Sequence, residues 1–316
     1  MKNDKRKKIK INLYAIIIGV LLLAYSVSII LPLLWGIMSS LKHYVDFTTP
    51  GTLLKLPNRE IWELAGGNLF TNYLNLGDAL KIDVKKTFYV GLSLDREVNN
   101  FASVNFAGFI FNTIAYAGGT AFVATMAPCI MGYCCSKFKY KFSNVIYGFV
   151  LFVMVMPIVG NTTASIVLMR RLAIYDTIWG MWLKGFTFAN TYFLIFFAFF
   201  TGCSDTYSEA AQLDGASYLR IMWTIYMPLA IKSITTVFLL QFVHLYNDYN
   251  TSLVFIPTHP TLAYAVLHFA TGQNGTGGDP PFNLAAAMAL AMPMVIFFVA
   301  FKKKLMGDVS VGGIKE

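Results

Sequence analysis

The sequence predicts an all-α integral membrane protein with six transmembrane helices. Hydrophobic residues make up 56% of the 316-residue chain, charged residues only 13%, and the mean hydropathy is +0.58. A soluble domain carries about 25% charged residues, so this chain has too little charge to cover a globule in water. Six apolar runs each reach the roughly 20 residues that a spanning helix needs. The predicted spans are 12–38, 107–134, 144–168, 183–202, 229–256 and 283–301.

The first run could be a secretory signal, because it follows a lysine-rich segment. Its apolar core, from Ile11 to Leu34, is longer than a typical signal core. We therefore expect a retained helix. Pro157 predicts a kink within the third span.

The basic residues predict that both termini are cytoplasmic. Short cytoplasmic segments are enriched in lysine and arginine. With the N-terminus inside, the short outer segments contain only Arg170, Arg171 and Lys184, and the inner ones contain most of the other basic residues. The predicted organisation is a basic N-terminus 1–11, a first span 12–38, an extracellular segment 39–106, a five-helix core 107–301 that includes a cytoplasmic loop 203–228, and a cytoplasmic tail 302–316.

The net charge of +9 does not indicate nucleic acid. The lysines and arginines cluster in 2–10, before the first apolar run, and in 302–304, after the last. Clusters at these places contact lipid head groups. The four cysteines form no C-x-x-C pair, which favours reduced packing residues over a metal site.

The cytoplasmic loop 203–228 interrupts the apolar runs with a polar, glycine-containing stretch. Thr206 and Glu209 have the spacing of a capping box that would start a helix over about 207–213. Asp214-Gly215 would end it, because glycine adopts a left-handed conformation at no steric cost. A second helix over about 216–226 would lead to Pro228 and the fifth span. The resulting elbow either docks another protein or rests on lipid.

Residues 209–228 resemble the EAA loop of binding-protein-dependent ABC importers, whose pattern is E-A-A-x3-G-x9-I-x-L-P. Met227 stands where leucine is usual. "FNTIAYAGG" at 111–119, "YDTIWGMWL" at 175–183 and "PTLAYAV" at 260–266 are also similar to the carbohydrate branch of that family. "YNDYNTSL" at 246–253 departs from the family pattern at two positions. The positions that match the EAA pattern are Glu209, Ala210, Ala211, Gly215, Ile225 and Pro228.

The resemblance is to the second membrane subunit of maltose-type importers, over roughly 10–40 and 107–316. It implies that the elbow is a coupling helix seated in a cytoplasmic ATPase. Glu209 would be its polar anchor, Ala210 and Ala211 its packed face, and Asp214 and Gly215 its turn. The implied partners are a homologous second permease subunit, two ABC ATPase subunits and an extracellular sugar-binding protein.

No catalytic motif is evident in the chain. A P-loop requires a Gly-Lys dipeptide, which occurs nowhere in the sequence. We therefore expect that this chain binds no cofactor and that ATP and Mg²⁺ are bound by the partner ATPase subunits. A membrane enzyme is the weakest of the function classes considered, because the acidic residues of the elbow are explained by capping and turn chemistry.

Polar residues in the fifth span are candidates for the translocation path, because polar groups at membrane depth are costly. The alternative is that they hydrogen-bond neighbouring helices. Asp248 also leaves open a second function, an ion-coupled secondary transporter, which usually needs a buried acid and an internal repeat. The path candidates are Gln241, His244, Asn247, Asp248 and Tyr249.

The outer segment 256–282 is rich in glycine, asparagine and proline, which predicts an irregular loop. In the family, the corresponding loop faces the sugar-binding protein. Gln273, Asn274 and Gly275 are therefore candidate contacts, and a solvated linker is the alternative.

Overall fold

The computed structural model describes residues 13–79, 81–88, 96–138, 141–156, 160–271 and 279–307. The chain divides into two compact units, one made of 1–76 with 275–289 and the other of 77–274 with 290–316. Described residues of both units are mainly helical.

The first unit begins with a long apolar helix, α1 (Leu13–Ser40). Its side chains are exposed over most of its length, including Leu21 at 64% and Leu23 at 68%. An apolar helix without a polar face is suited to lipid or to another membrane helix rather than to water. Three short helices follow: α2 (Tyr44–Thr48), α3 (Arg59–Leu64) and α4 (Thr71–Ala79).

A fully buried lysine organises the segment after α1. The ammonium of Lys42 donates to the carbonyl oxygens of Thr52, at 2.6 Å, and Leu53, at 3.1 Å. The side chain of Asn72 donates to the backbone carbonyl of Lys42 at 3.0 Å. Burial lowers the pKa of Lys42, and the nearby Asp46 carboxylate acts in the opposite direction. These contacts join the residues after α1 to residues 52 and 53 and to α4, all within the predicted extracellular segment.

The second unit contains a hairpin that the sequence reasoning missed. Strands β1 (Ile82–Phe88) and β2 (Arg96–Val104) pair antiparallel, with Ile82 opposite Val104. The prediction of an all-α chain is wrong for this segment. Alternating apolar residues at Ile82 and Val84, both buried, are the period-two signal of a strand.

The centre of the second unit is α5 (Phe106–Lys137), which begins where the Asn105 side chain accepts the Gly108 N–H. It is followed by α6 (Lys141–Val155), α7 (Asn161–Arg171), α8 (Ile178–Lys184) and α9 (Thr191–Thr201). Helix α5 packs against α8, α9 and the later α13 (Ile231–Tyr246). A Cβ on Gly132 would lie 2.9 Å from the backbone nitrogen of Phe197, so this glycine permits the close approach of α5 and α9.

The remaining helices belong to the loop and to the last two predicted spans. They are α10 (Thr206–Leu213), α11 (Tyr218–Ile221), a π-helical turn (Met222–Tyr226), α12 (Met227–Leu229), α13 (Ile231–Tyr246), α14 (Tyr249–Phe255), α15 (Leu262–Ala270) and α16 (Pro280–Gly307).

Three predicted spans correspond to single helices, α1, α5 and α16, and three are broken. The third is divided between α6 and α7, and Pro157 lies outside the described residues. The fourth begins only at Thr191, because the Asn190 side chain accepts N–H bonds from residues 192 and 193 and starts α9 there. The fifth is divided at Asn247–Asp248, where Asp248 caps α14.

Length and composition identify fewer spans than predicted. Among the described residues, Ile16–Ser40 of α1 and all of α5 are long and apolar enough to cross a membrane. A third span results if Tyr218–Leu229 and Ile231–Tyr246, bent by 72°, are counted as one. The helical, membrane-type architecture is confirmed, whereas six spans and two cytoplasmic termini stay predictions.

Candidate functional site

The elbow of residues 203–228 is built from α10, α11, the π-helical turn and α12. Gly215 has φ +80°, in the left-handed region. Its N–H donates to the Gln212 carbonyl at 3.0 Å, and the Ala216 N–H donates to the Ala211 carbonyl at 2.9 Å. This pair of bonds is a Schellman motif, which satisfies the last free carbonyls of a helix. The predicted helix stop at Asp214-Gly215 is therefore present.

The predicted capping box at the start of α10 is wrong. Thr206 is the first residue of the helix, and Asp205 occupies the preceding position without a side-chain capping bond. The Asp205 carboxylate instead accepts a hydrogen bond from Lys137, at 2.8 Å. The Thr206 hydroxyl accepts from the Ser204 hydroxyl at 2.9 Å. At the start of α10, the Thr206 N–H donates to the Ser204 hydroxyl at 3.3 Å.

The two alanines of the EAA stretch have different surroundings. Ala211 is half-buried and packs against a cluster of buried residues that includes Tyr133 and Tyr226. Glu209 and Ala210 are exposed. The expected packed face of two alanines is thus divided between the interior of this chain and its surface.

The elbow exposes several large apolar side chains. Leu213 is 90% exposed, and Tyr207 is 55% exposed. Leu219 and Tyr218 of α11 are 69% and 57% exposed. Several large exposed apolar side chains on one short segment are suited to contact with another protein or with the membrane.

The polar residues of the fifth predicted span are separated by the break between α13 and α14. Asp248 accepts the Thr251 N–H at 3.1 Å and the Tyr116 hydroxyl at 3.3 Å. The Asn247 amide donates to the Val243 carbonyl at 2.9 Å. These contacts give Asp248 and Asn247 structural roles at the ends of helices.

The other three path candidates lie on the helices themselves. Gln241 is half-buried and His244 is exposed on α13, and Tyr249, the first residue of α14, is 47% exposed. Because α13 ends at residue 246, Asp248 does not continue the helical face of Gln241 and His244. The candidate contacts Gln273, Asn274 and Gly275 lie outside the described residues.

The structure adds a polar cluster that the sequence reasoning did not identify. Asp176, with φ +58°, accepts the backbone N–H of Thr258 at 3.0 Å and its hydroxyl at 2.8 Å. His259 lies 3.7 Å from the same carboxylate. The cluster fastens the turn between α7 and α8 to the loop after α14. No local pattern links residues 82 positions apart, so only the resemblance of 175–183 drew attention to this segment.

The helical core and the elbow match a known protein family. A family model described as "Binding-protein-dependent transport system inner membrane component" matches residues 124–303, which is more than half of the chain. The chain belongs to this family. It is therefore a transport component of the inner, cytoplasmic membrane rather than an enzyme. The predicted family membership is confirmed.

Curated relatives support the same assignment. The trehalose transport system permease protein SugB of Mycobacterium tuberculosis is 23% identical over 66% of this chain and 77% of its own length. The trehalose/maltose permease protein MalG of Thermococcus litoralis is 22% identical over 67% and 77%. The melibiose/raffinose/stachyose import permease protein MelC of Bacillus subtilis is 34% identical, over 34% of this chain and 38% of its own.

A solved structure has the same fold. A chain in the crystal structure of a bacterial ABC transporter that imports the acidic polysaccharide alginate matches with a TM-score of 0.66 and 21% identity. The match covers 92% of this chain and 95% of that chain. It therefore also includes most of the predicted extracellular segment 39–106.

Proposed function

We propose that this permease is one of two membrane subunits of an ATP-driven importer for a carbohydrate, specifically an oligosaccharide. The family membership supports import with a binding protein. The printed names of several relatives refer to trehalose, maltose and raffinose transport. Relatives named for sn-glycerol-3-phosphate supply the alternative cargo that an experiment should include.

The observation that carries the proposal is the geometry of the elbow. A helix of eight residues ends in a Schellman turn at Gly215 and presents Glu209, Ala210 and Leu213 at the surface. A short helix exposed in this way fits a cleft on a partner protein, with its acid as a polar anchor and the small alanine allowing close approach. Asp214 and Gly215 set the direction in which the chain leaves the helix.

The proposed assembly contains a homologous second permease subunit, two ABC ATPase subunits and an extracellular sugar-binding protein. In it, ATP and Mg²⁺ are bound by the ATPase subunits, and this chain binds no cofactor. Closure of the ATPase subunits on ATP moves the elbow, and the six proposed spans change from inward-facing to outward-facing. The loop containing Gln273, Asn274 and Gly275 is the proposed contact for the binding protein.

The ion-coupled alternative gains no support from these contacts. Its best candidate for a coupling acid is Asp248, whose two carboxylate oxygens accept bonds from Thr251 and Tyr116. Gln241, His244, Asn247, Asp248 and Tyr249 remain the proposed residues of the translocation path, and a hydrogen bond to a neighbouring helix is the alternative role for each.

Native mass spectrometry of the complex purified in mild detergent tests the assembly. We expect masses for a second permease and for two ATPase chains. The complex is then reconstituted in vesicles with its binding protein, and uptake of radiolabelled trehalose, maltose, raffinose and glycerol 3-phosphate is measured with and without ATP. A monomer that transports without ATPase chains, driven by an ion gradient, would refute the proposal.

A further inference from the structure

A buried lysine connects the elbow to the end of α5. The side chain of Lys137, in the last turn of α5, is only 7% exposed. Its ammonium donates to the Asp205 carboxylate at 2.8 Å and to the Cys203 carbonyl at 2.6 Å. It also lies 5.0 Å from the centre of the Tyr226 ring. A buried ammonium requires such partners, because burial of an unpaired charge is strongly unfavourable.

The partners of Lys137 lie in the short connection between α9 and α10. Cys203 follows the C-terminal end of α9, where the helix dipole is negative, and Asp205 directly precedes α10. Tyr226 supports the same connection, because its hydroxyl donates to the Ser204 carbonyl at 3.3 Å. The connection is therefore held from α5 and from the π-helical turn at once.

We propose that Lys137 is a positioning residue that fastens the coupling elbow to α5, so that displacement of α10 is transmitted to the central helix of the permease. The contact itself is independent of the partner proteins, whereas its part in ATP coupling rests on the proposed function. Without the lysine, the connection before α10 loses its hydrogen bonds to α5 and keeps the contact between Tyr226 and Ser204. ATP-driven movement of the elbow would then be absorbed by that connection.

Hydrogen–deuterium exchange of the full chain in lipid nanodiscs tests the attachment. We compare Lys137→Gln with wild type, and Arg220→Gln is the matched control, since Arg220 is an exposed basic residue of the same loop. In Lys137→Gln, amides of residues 203–210 should exchange about tenfold to a hundredfold faster, because hydrogen bonds to a charged group are lost. Amides of residues 106–131 should be unchanged.

Two further variants separate a positioning role from general destabilisation. Lys137→Arg keeps the charge and should restore slow exchange. Asp205→Asn removes the charge partner at a site that is 43% exposed, so it should fold even if Lys137→Gln does not. Exchange at wild-type rates in both Lys137→Gln and Asp205→Asn would overturn the proposal.

The coupling role is measured in the reconstituted complex as labelled sugar taken up per ATP hydrolysed. We expect this ratio to fall by at least about fivefold in Lys137→Gln and to recover in Lys137→Arg. Faster exchange at residues 203–210 with an unchanged ratio of sugar uptake to ATP hydrolysis would overturn the positioning role. If the Lys137→Gln variant shows faster exchange at residues 203–210 but the chain purifies without ATPase subunits, the proposed function is refuted. The attachment of the elbow to α5 would still be established.

Discussion

Replacement of Gly215 by valine should uncouple the elbow without disturbing the rest of the chain. No atom lies within 4 Å of a Cβ built on Gly215, and its φ is +80°. The cost of a side chain here is therefore conformational rather than steric. A non-glycine residue in the left-handed region costs about 1–2 kcal/mol, and strained positions cost up to about 3 kcal/mol. Valine should lie at the upper end, since β-branched residues are rarest at positive φ.

That free energy changes the equilibrium between the ordered and the frayed turn by about tenfold to a hundredfold, at 1.4 kcal/mol per factor of ten. The assay is ATP-dependent sugar uptake together with the amount of chain in the membrane. Gly215→Val should abolish most uptake at a normal membrane level. Gly215→Ala should be intermediate, and Gly215→Asn should be nearly active, because asparagine tolerates the left-handed conformation.

The order of the three variants distinguishes two explanations. If asparagine were as harmful as valine, the effect would come from the volume added to a docking surface and not from the backbone. Normal uptake in Gly215→Val would remove the turn from the mechanism and refute the reasoning.

Three further predictions follow from contacts elsewhere in the chain. Asp248→Asn should keep transport, since asparagine also caps helices. Asp248→Ala should lower the free energy of unfolding of the purified chain by about 0.5–2 kcal/mol, measured by thermal unfolding. Loss of uptake in Asp248→Asn with an intact complex would place this residue in the translocation path. Gly132→Ala should destabilise the chain by about 1–3 kcal/mol, because its Cβ would meet the backbone of Phe197. Gly118→Ala, which meets nothing within 4 Å, is the control, and equal melting temperatures would contradict the packing argument. Lys42→Met should speed proteolytic cleavage within 41–76, because two carbonyls lose a charged donor; cleavage at the wild-type rate would show that the lysine does not hold this segment.

The sequence predicted the end of α10 correctly and its start incorrectly, for different physical reasons. A glycine directly after a helix has few competitors for the left-handed position, so Gly215 is a local signal. At the start, Asp205 rather than Thr206 occupies the position before the helix, and its carboxylate is bonded to Lys137, which is 68 positions away in the chain. The T-x-x-E spacing carries no information about such a long-range contact.

Helices lie within the predicted spans, but the breaks between them were missed although the signal for each break is local. Apolar runs located the helices, because hydrophobicity is a property of the residues themselves. The breaks were missed where a single polar residue caps a new helix within an apolar run, as Asn190 does for α9 and Asp248 for α14. Both are residue types that favour the N-cap. Such a residue inside a long apolar run therefore predicts a helix break, even where the mean hydropathy of the run is high.

Helix α5 links the candidate coupling loop to the polar contacts of the fifth predicted span. Lys137 at its C-terminal end holds the start of α10, and Tyr116 nearer its N-terminal end donates to the residue that caps α14. At 1.5 Å per residue, these two positions are separated by about 32 Å along the helix, which is close to the roughly 30 Å thickness of the hydrocarbon core of a bilayer. One continuous helix therefore carries a charged attachment to the elbow at one end and a polar attachment to α14 at the other. In the proposed importer, this helix would transmit a displacement of the elbow only while both attachments hold, so the loss of Lys137 should affect uptake per ATP more than it affects folding.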